Sequence, residues 1–96
     1  MTAEELKAWT KERWPEAREN KGQFYIEDKL RLVIDTRFPG RIDVLTDENL
    51  RKALLDKYES ISTSQVFGID GVCLLLTGQI EEEEVKSLII QSFGVV

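Results

Sequence analysis

The sequence predicts an α+β fold: an α-β-β-β-α-β-β-α two-layer sandwich with a five-stranded, mostly antiparallel sheet and helices on one side. Apolar and polar residues alternate along three short segments of the first half, the pattern of half-buried strands. Elsewhere apolar residues recur at helical spacing after capping or acidic residues. With 96 residues, the chain is expected to form a single domain over 1–96.

The first half predicts one helix followed by a three-stranded meander. Thr2 and Glu5 have the spacing of a capping box, and Pro15 fits poorly inside a helix, so the helix is predicted between them. The charged segment 16–22 is predicted to be a loop. Three strands joined by turns are predicted next: 23–27, 30–36 and 41–45.

The second half predicts a helix, a hairpin and a last helix. Asp47 and its neighbours give a helix start, and Leu50 and Leu54 follow at helical spacing. The hairpin is predicted as a strand over 61–67, a turn over 68–71 and a strand over 72–77. The last strand is almost entirely apolar, so we expect it to be central or buried on both faces.

Four consecutive glutamates, 81–84, precede the apolar stripe of the last helix. They suggest a metal site, an acidic contact patch or a helix start. Consecutive helical residues point about 100° apart, so their carboxylates do not converge on a metal. At a helix N-terminus they face unpaired N–H groups and the positive end of the dipole. We therefore predict a helix start and no metal site.

The composition excludes most catalytic chemistry. Histidine is absent and Cys73 is the only cysteine, which excludes Ser-His-Asp and Cys-His nucleophiles and removes the commonest zinc ligand. The candidate carboxylate pairs are Asp35 with Asp43 and Asp56 with Glu59, and they serve acid–base chemistry only when burial separates their pKa values. Each lies among charged neighbours, so we expect them to be solvated. The prediction is a protein that is not an enzyme and binds no cofactor.

The charge and the N-terminal sequence bear on location and partners. The net charge is −5, which does not favour general binding to phosphate backbones. No apolar run reaches the roughly 20 residues of a membrane helix. The polar, acidic N-terminus also lacks a signal-peptide pattern. We expect a cytoplasmic protein that does not contact a membrane.

Three segments resemble the MmcQ/YjbR family of small bacterial proteins. DENLRKALLDKYESI (47–61) is similar to the family's acid-rich helix with its Leu…Tyr segment, and FYIEDKLRLVID (24–35) is similar to its hairpin. GVCLLLTGQIEEEEVKSLIIQSF (71–93) resembles its final strand and closing helix. The resemblance covers about residues 20–93 and implies a secretion-chaperone-like α-β3-α-β2-α sandwich.

The resemblance also implies functions. Members of the family are often described as DNA-binding through a double-wing arrangement of hairpins, whose fourth strand tends to carry basic residues and a Trp. The corresponding segment here, 62–71, has no Lys, Arg or Trp. Acidic, dimeric secretion chaperones share the fold and resemble this chain in size and charge. We favour a protein partner, with DNA binding and a chaperone-like dimer as alternatives, and the choice between monomer and homodimer stays open.

The candidate partner-binding residues lie on the face of the meander that the core does not cover. Alternation places Leu30 toward the core, and it places Arg31, with Arg41 of the next strand, on the opposite face. Basic and aromatic side chains here could contact a protein or a nucleic acid. The alternative is a solvated face of cross-strand ion pairs. The predicted site residues are Tyr25, Arg31, Arg37, Phe38 and Arg41.

Overall fold

The computed structural model describes residues 2–95, which form three helices and six strands. The elements are α1 Ala3–Arg13, β1 Arg18–Asn20, β2 Gln23–Ile26, β3 Lys29–Asp35, β4 Arg41–Leu45, α2 Glu48–Lys57, β5 Ile61–Ser64, β6 Gly68–Leu75 and α3 Glu82–Gly94. The predicted α+β class is confirmed, with six strands in place of the predicted five. Among residues 2–95, no helix is long and apolar enough to cross a membrane.

The strands form one antiparallel sheet in the order β1-β2-β3-β4-β6-β5. Its central strands align Ile34, Ile42 and Leu74 as neighbours, and all three are buried. Side chains from all three helices join this row in one hydrophobic core: Leu6 of α1, Leu54 of α2 and Leu88 of α3 among them. Strand β6 is an interior strand between β4 and the edge strand β5, and its other face is partly open, so the expected burial on both faces is wrong.

Local signals set the helix ends as predicted. Thr2 and Glu5 form a reciprocal capping box at the start of α1, which ends at Arg13, two residues before Pro15. Asp47 caps α2 by accepting from the Leu50 N–H at 2.7 Å. The glutamate run begins α3: Glu81 is the N-cap residue, and the next three glutamates fill the first turn. The prediction that these glutamates start a helix is confirmed.

The loop predicted over 16–22 is wrong, because it contains the edge strand β1. Its sequence is entirely polar, with no alternation of apolar and polar residues, so the sequence did not indicate a strand. Glu19 ties it to α1 through Lys7 at 3.6 Å and Lys11 at 3.5 Å. Gly22, at a φ of 84°, turns the chain into β2. Its lack of a Cβ also allows the close approach of the Ile34 carbonyl oxygen, which would lie 2.1 Å from a Cβ there.

A β-bulge interrupts the alternation predicted for β3. Phe24 pairs with Leu32, but the next residue, Tyr25, pairs with Leu30, so Arg31 is the extra residue. Leu30 therefore shares the open face with Tyr25, contrary to its predicted place in the core. The bulge also reverses the predicted direction of Arg31, which turns toward α3.

The predicted hairpin boundaries in the second half are also wrong. Strand β5 ends at Ser64, and β6 begins at Gly68, where a turn was expected. The Ser64 hydroxyl accepts from the N–H groups of Val66 and Phe67, each at 3.0 Å, which bends the chain earlier than predicted. Gly71 serves close packing in this region, because a Cβ there would lie 2.5 Å from the Val44 carbonyl oxygen.

Candidate functional site

The five predicted site residues lie in three separate places. Arg37, Phe38 and Arg41 are together at the β3–β4 turn. Tyr25 lies near the opposite end of β3, where it pairs with Leu30. Five residues of extended strand separate that end from Asp35, a distance of roughly 17 Å. Arg31 is on a different side of the sheet, so one surface formed by all five residues is not supported.

Arg31 contacts the C-terminal end of α3. Its guanidinium donates to the Val95 carbonyl oxygen, and its own carbonyl oxygen accepts from the Ser92 hydroxyl at 2.7 Å. The last turn of α3 has no basic residue of its own. Arg31 therefore supplies the positive charge that complements the helix dipole, and its role is structural.

Tyr25 is partly buried by its neighbours on the edge of the sheet. The Arg18 guanidinium lies 4.4 Å from the centre of its ring, and its hydroxyl donates to the Gln23 side chain at 2.9 Å. Both interactions are within the chain. Tyr25 thus offers less free contact area than the sequence suggested.

The tryptophans of α1 and the loop after it are also packed within the protein. Trp14 stacks on Phe93 of α3 with ring centres 4.1 Å apart, and Trp9 meets Trp14 edge-on at 5.7 Å. Lys86 lies over the Trp9 ring at 5.2 Å. These aromatic rings join α1 to α3 and cover one end of the core.

The β3–β4 turn carries the most exposed aromatic side chain. Phe38 is 99% exposed, at the tip of a turn that the Gly40 N–H closes on the Arg37 carbonyl oxygen at 2.7 Å. Leu75 of β6 pairs with Arg41 and is 48% exposed. We define the turn patch by the residues that surround a shallow depression of about 350 Å³: Asp35, Arg37, Phe38, Pro39, Gly40, Arg41 and Leu75.

Both arginines of the turn patch have carboxylate partners. Arg37 contacts both oxygens of Asp35, with Nη2 at 2.7 Å from Oδ2 and Nε at 3.0 Å from Oδ1. These hydrogen bonds, with that from the Arg37 backbone N–H, hold the pKa of Asp35 well below its usual range. Arg41 lies 3.9 Å from Asp35 and 3.3 Å from Asp43. The patch combines an apolar tip with two arginines, whose charges are balanced by Asp35 within the patch and Asp43 beside it.

A small cleft lined by both apolar and acidic residues continues from the turn patch toward α3. It encloses about 170 Å³, and Leu75, Leu76, Ile80 and Val85 provide its apolar surface. Glu81 and Glu82 stand at its rim. Leu75 belongs to both the turn patch and this cleft, so a bound side chain could reach from one to the other.

Asp43 contradicts the expectation that the carboxylates are solvated. It is only 2% exposed, although it lies on the face of the sheet that the helices do not cover. Its Oδ1 accepts from the Ser64 hydroxyl at 2.9 Å, and the β5–β6 turn that Ser64 holds lies beside it. Sequence alternation shows only which face Asp43 occupies; this distant turn buries it.

A second pocket of about 250 Å³ lies beside Asp43. We define the Asp43 pocket by six of its residues: Arg41, Asp43, Ser62, Gln65, Val66 and Cys73. Cys73 is half-buried. Burial raises the pKa of its thiol, and the neighbouring Asp43 charge adds to the rise. The thiol is therefore protonated at neutral pH, which is unfavourable for a nucleophile.

Comparisons with known proteins bear on the fold. The sequence matches no family model, and a search of curated proteins found no significant match. The chain is similar to the crystal structure of a Pseudomonas syringae protein, a structural genomics target, with a TM-score of 0.78, 16% identity, and coverage of 98% of this chain and 97% of that one. A solution NMR structure from the same organism gives a TM-score of 0.72 at 18% identity, covering 98% and 91% of the two chains. At these identities the likeness shows the fold alone.

Proposed function

We propose that this chain is a non-enzymatic, MmcQ/YjbR-like binding domain that acts on a protein partner in the cytoplasm through the turn patch. The observation that carries the proposal is the exposure of Phe38, at 99%, beside Leu75, at 48%. When a partner covers a large aromatic side chain at a turn tip, the burial of its apolar surface stabilises the complex. Buried aromatic anchors of this kind dominate the energetics of many protein interfaces.

The neighbouring groups favour a protein surface as the partner. The cleft behind Leu75 can accept a partner's apolar side chain against its residues Leu76 and Ile80 while Phe38 packs against the partner. Arg37 is paired with Asp35 of the patch, and Arg41 is paired with Asp43 beside it. Both arginines can therefore donate hydrogen bonds at the rim without creating a strong positive field. An interface with an apolar centre and a balanced polar rim fits these features.

DNA binding, which the family resemblance implies, is the alternative. It requires unneutralised Lys or Arg groups along a phosphate track. The arginines of the turn patch are 2.7 Å and 3.3 Å from Asp35 and Asp43 respectively. A net charge of −5 adds to the electrostatic cost. These observations rank nucleic acid below a protein partner.

The test compares proteins captured by three forms of this chain. The wild type, Phe38→Ser and Ile69→Ser are immobilised at equal density, and bound proteins are quantified by mass spectrometry. Ile69 is 76% exposed on another part of the surface, so it is a matched control for removing an exposed apolar side chain. We expect a protein that binds the wild type and Ile69→Ser but is depleted about tenfold or more by Phe38→Ser.

Two further measurements separate the alternatives. Fluorescence anisotropy with labelled duplex and single-stranded DNA should stay flat at low salt; salt-sensitive binding lost in Arg37→Ala/Arg41→Ala would support the DNA alternative instead. Light scattering gives the molar mass. A dimer that Phe38→Ser dissociates would show that the partner is a second copy, as the chaperone-like alternative requires.

A further inference from the structure

The turn patch and the cleft toward α3 are held next to each other by the fold. Leu75 borders both of them. The Leu76 N–H donates to the Gly40 carbonyl oxygen at 2.9 Å, which fixes the end of the β3–β4 turn against the wall of the cleft. An exposed aromatic side chain, Phe38, and a concave site therefore lie side by side on one surface, at positions that the strands set.

The cleft has about the size of one aromatic ring. Its volume is about 170 Å³, and an apolar cavity of about 150 Å³ accommodates benzene. Leu75, Leu76, Ile80 and Val85 provide apolar surface for such a ring. Phe38 stays outside the cleft of its own chain, because its side chain is 99% exposed. The cleft therefore fits the Phe38 ring of another copy of the chain.

The charge beside the aromatic ring is opposite to the charge beside the cleft. Arg37 precedes Phe38, and its side chain is 87% exposed. Glu81 and Glu82 line the cleft, whose lining within residues 2–95 includes no lysine or arginine. Asp35 accepts hydrogen bonds from Nε and Nη2 of Arg37, so Nη1 can donate to a second carboxylate. A Phe38 ring that enters the cleft of another copy would bring Arg37 to these glutamates.

A two-fold axis beside Leu75 would form these contacts twice. In a symmetric homodimer both copies use the same surface, so a contact from the first copy to the second is repeated from the second to the first. The turn patch and the cleft flank Leu75, as this arrangement requires. The net charge of −5 on each copy favours the monomer, so local pairs of opposite charge are needed at the interface.

We propose that the turn patch binds a second copy of this chain. In the symmetric dimer, each Phe38 occupies the cleft of the other copy, and each Arg37 pairs with Glu81 or Glu82 there. This inference rests on the proposed function, because it identifies the protein that Phe38 contacts. A buried aromatic side chain contributes roughly 150–250 Å², so two of them form only part of a standard interface of about 1,600 Å². We expect a reversible dimer with a dissociation constant of roughly 10–100 µM.

Sedimentation equilibrium between roughly 10 µM and 1 mM protein tests the dimer. The wild type should change from monomer to dimer over this range, and Phe38→Ser should stay monomeric. Arg37→Glu and Glu81→Arg each place like charges opposite one another, so each should weaken dimerisation about tenfold or more. Lys52→Glu is the matched control, since it makes the same change of charge as Arg37→Glu at an exposed position of α2. It should dimerise as the wild type does.

A 1:1 mixture of Arg37→Glu and Glu81→Arg tests the reciprocal contact. In the mixed dimer, the glutamate introduced at position 37 faces the arginine introduced at position 81, and the native Arg37 of one copy faces the native Glu81 of the other. Both contacts then join opposite charges. The mixture should dimerise about as strongly as the wild type, although each variant alone does not. Glu82→Arg is mixed with Arg37→Glu in the same way, because both glutamates line the cleft.

Three results would overturn the inference: a wild type that is monomeric at about 1 mM, a dimer that Phe38→Ser leaves intact, or mixtures that associate no more than the separate variants. The capture experiment then decides the proposed function separately. A different protein that binds the wild type and is lost in Phe38→Ser would support the proposed function and exclude the second copy as its partner. If no such protein is captured and the wild type is monomeric, both proposals are wrong.

Discussion

Neighbouring residues of β4 are buried on the two faces of the sheet by different kinds of contact. Ile42 and Val44 have no exposed surface, and they lie in the hydrophobic core beneath the helices. Asp43, between them, is 2% exposed on the opposite face, where Ser64, Arg41 and the β5–β6 turn surround it. The two faces reach similar burial at these positions, one through apolar packing and the other through specific polar partners.

The difference shows which face carries stability and which is suited to recognition. Apolar burial stabilises by about 25 cal/mol per Å² and needs no particular orientation. A buried carboxylate costs free energy unless each oxygen has a partner in the right place, so it is retained only where its geometry is held. The helix-covered face therefore provides most of the folding free energy. The open face carries oriented polar groups, and the proposed function assigns binding to the exposed apolar side chains at its edge.

The strongest test of this difference between the helix-covered face and the open face compares two phenylalanines. Phe24 is fully buried in the core and Phe38 is 99% exposed at the β3–β4 turn. We expect Phe24→Ala to lower the free energy of unfolding by roughly 3–5 kcal/mol, through lost burial and the cavity that remains. Phe38→Ala should change it by no more than about 0.5 kcal/mol. Urea denaturation followed by circular dichroism measures both.

Equal losses of unfolding free energy in Phe24→Ala and Phe38→Ala would contradict this difference between the two faces. A loss above about 1 kcal/mol for Phe38→Ala would mean that the turn tip packs against the protein in solution. Phe38 would then not be free to contact a partner, which would contradict the proposed function. The description of the core would remain valid.

Sequence patterns predicted the stable face much better than the open one. The capping box at Thr2, the helix start at the glutamate run and the placement of Ile42 and Val44 on one face of β4 are signals between residues close in the chain, and each is confirmed. Each of these signals depends only on residues within a few positions of one another. They are sufficient for the fold class and for most of the core.

The rest depends on contacts between distant segments. The bulge at Arg31 arises from the pairing of β2 with β3, and the burial of Asp43 arises from Ser64, 21 residues away. The strand β1 has no apolar pattern, and Glu19 joins it to α1 through lysines. Periodicity does not encode these contacts. For that reason the predicted site residues Tyr25 and Arg31 lie away from the turn patch.

The next largest effect should come from removing the buried carboxylate. Asp43→Ala leaves the Ser64 hydroxyl without its acceptor and Arg41 without one of its carboxylates. We expect the free energy of unfolding to fall by about 1–3 kcal/mol. The loss should stay below the 3–5 kcal/mol typical of fully buried pairs, because the Arg41 side chain is 41% exposed and can be rehydrated. Thermal and urea denaturation give the value.

Asp56→Ala is the matched control, since Asp56 is exposed on α2. Its free energy of unfolding should stay within about 0.5 kcal/mol of the wild type. An Asp43→Ala variant as stable as this control would show that the polar network on the open face contributes nothing to folding.

A smaller effect separates two of the predicted site arginines. Arg31→Met keeps an apolar stem but removes the guanidinium from the C-terminal end of α3, and it should cost about 1 kcal/mol of unfolding free energy. Arg37→Met removes the ion pair that the 87% exposed Arg37 side chain makes with Asp35, and it should cost less than about 0.5 kcal/mol. Urea denaturation in low salt, where helix-dipole effects are largest, compares them. A larger loss for Arg37→Met than for Arg31→Met would reverse the assigned roles.

The smallest expected effect concerns the pH dependence that Arg37 confers through Asp35. Because the folded-state pKa of Asp35 is lowered, its contribution to stability is present above the unfolded-state pKa of about 4 and is lost as the pH falls below it. Arg37→Gln should raise the pKa of Asp35 toward its usual range, and ¹³C NMR titration of the carboxyl group measures that shift. Arg18→Gln, whose partner is Asp28, should leave the Asp35 titration unchanged. An unchanged Asp35 pKa in Arg37→Gln would mean that Arg37 is not paired with Asp35 in solution, and Arg37 would then be a free cation, as the DNA alternative requires.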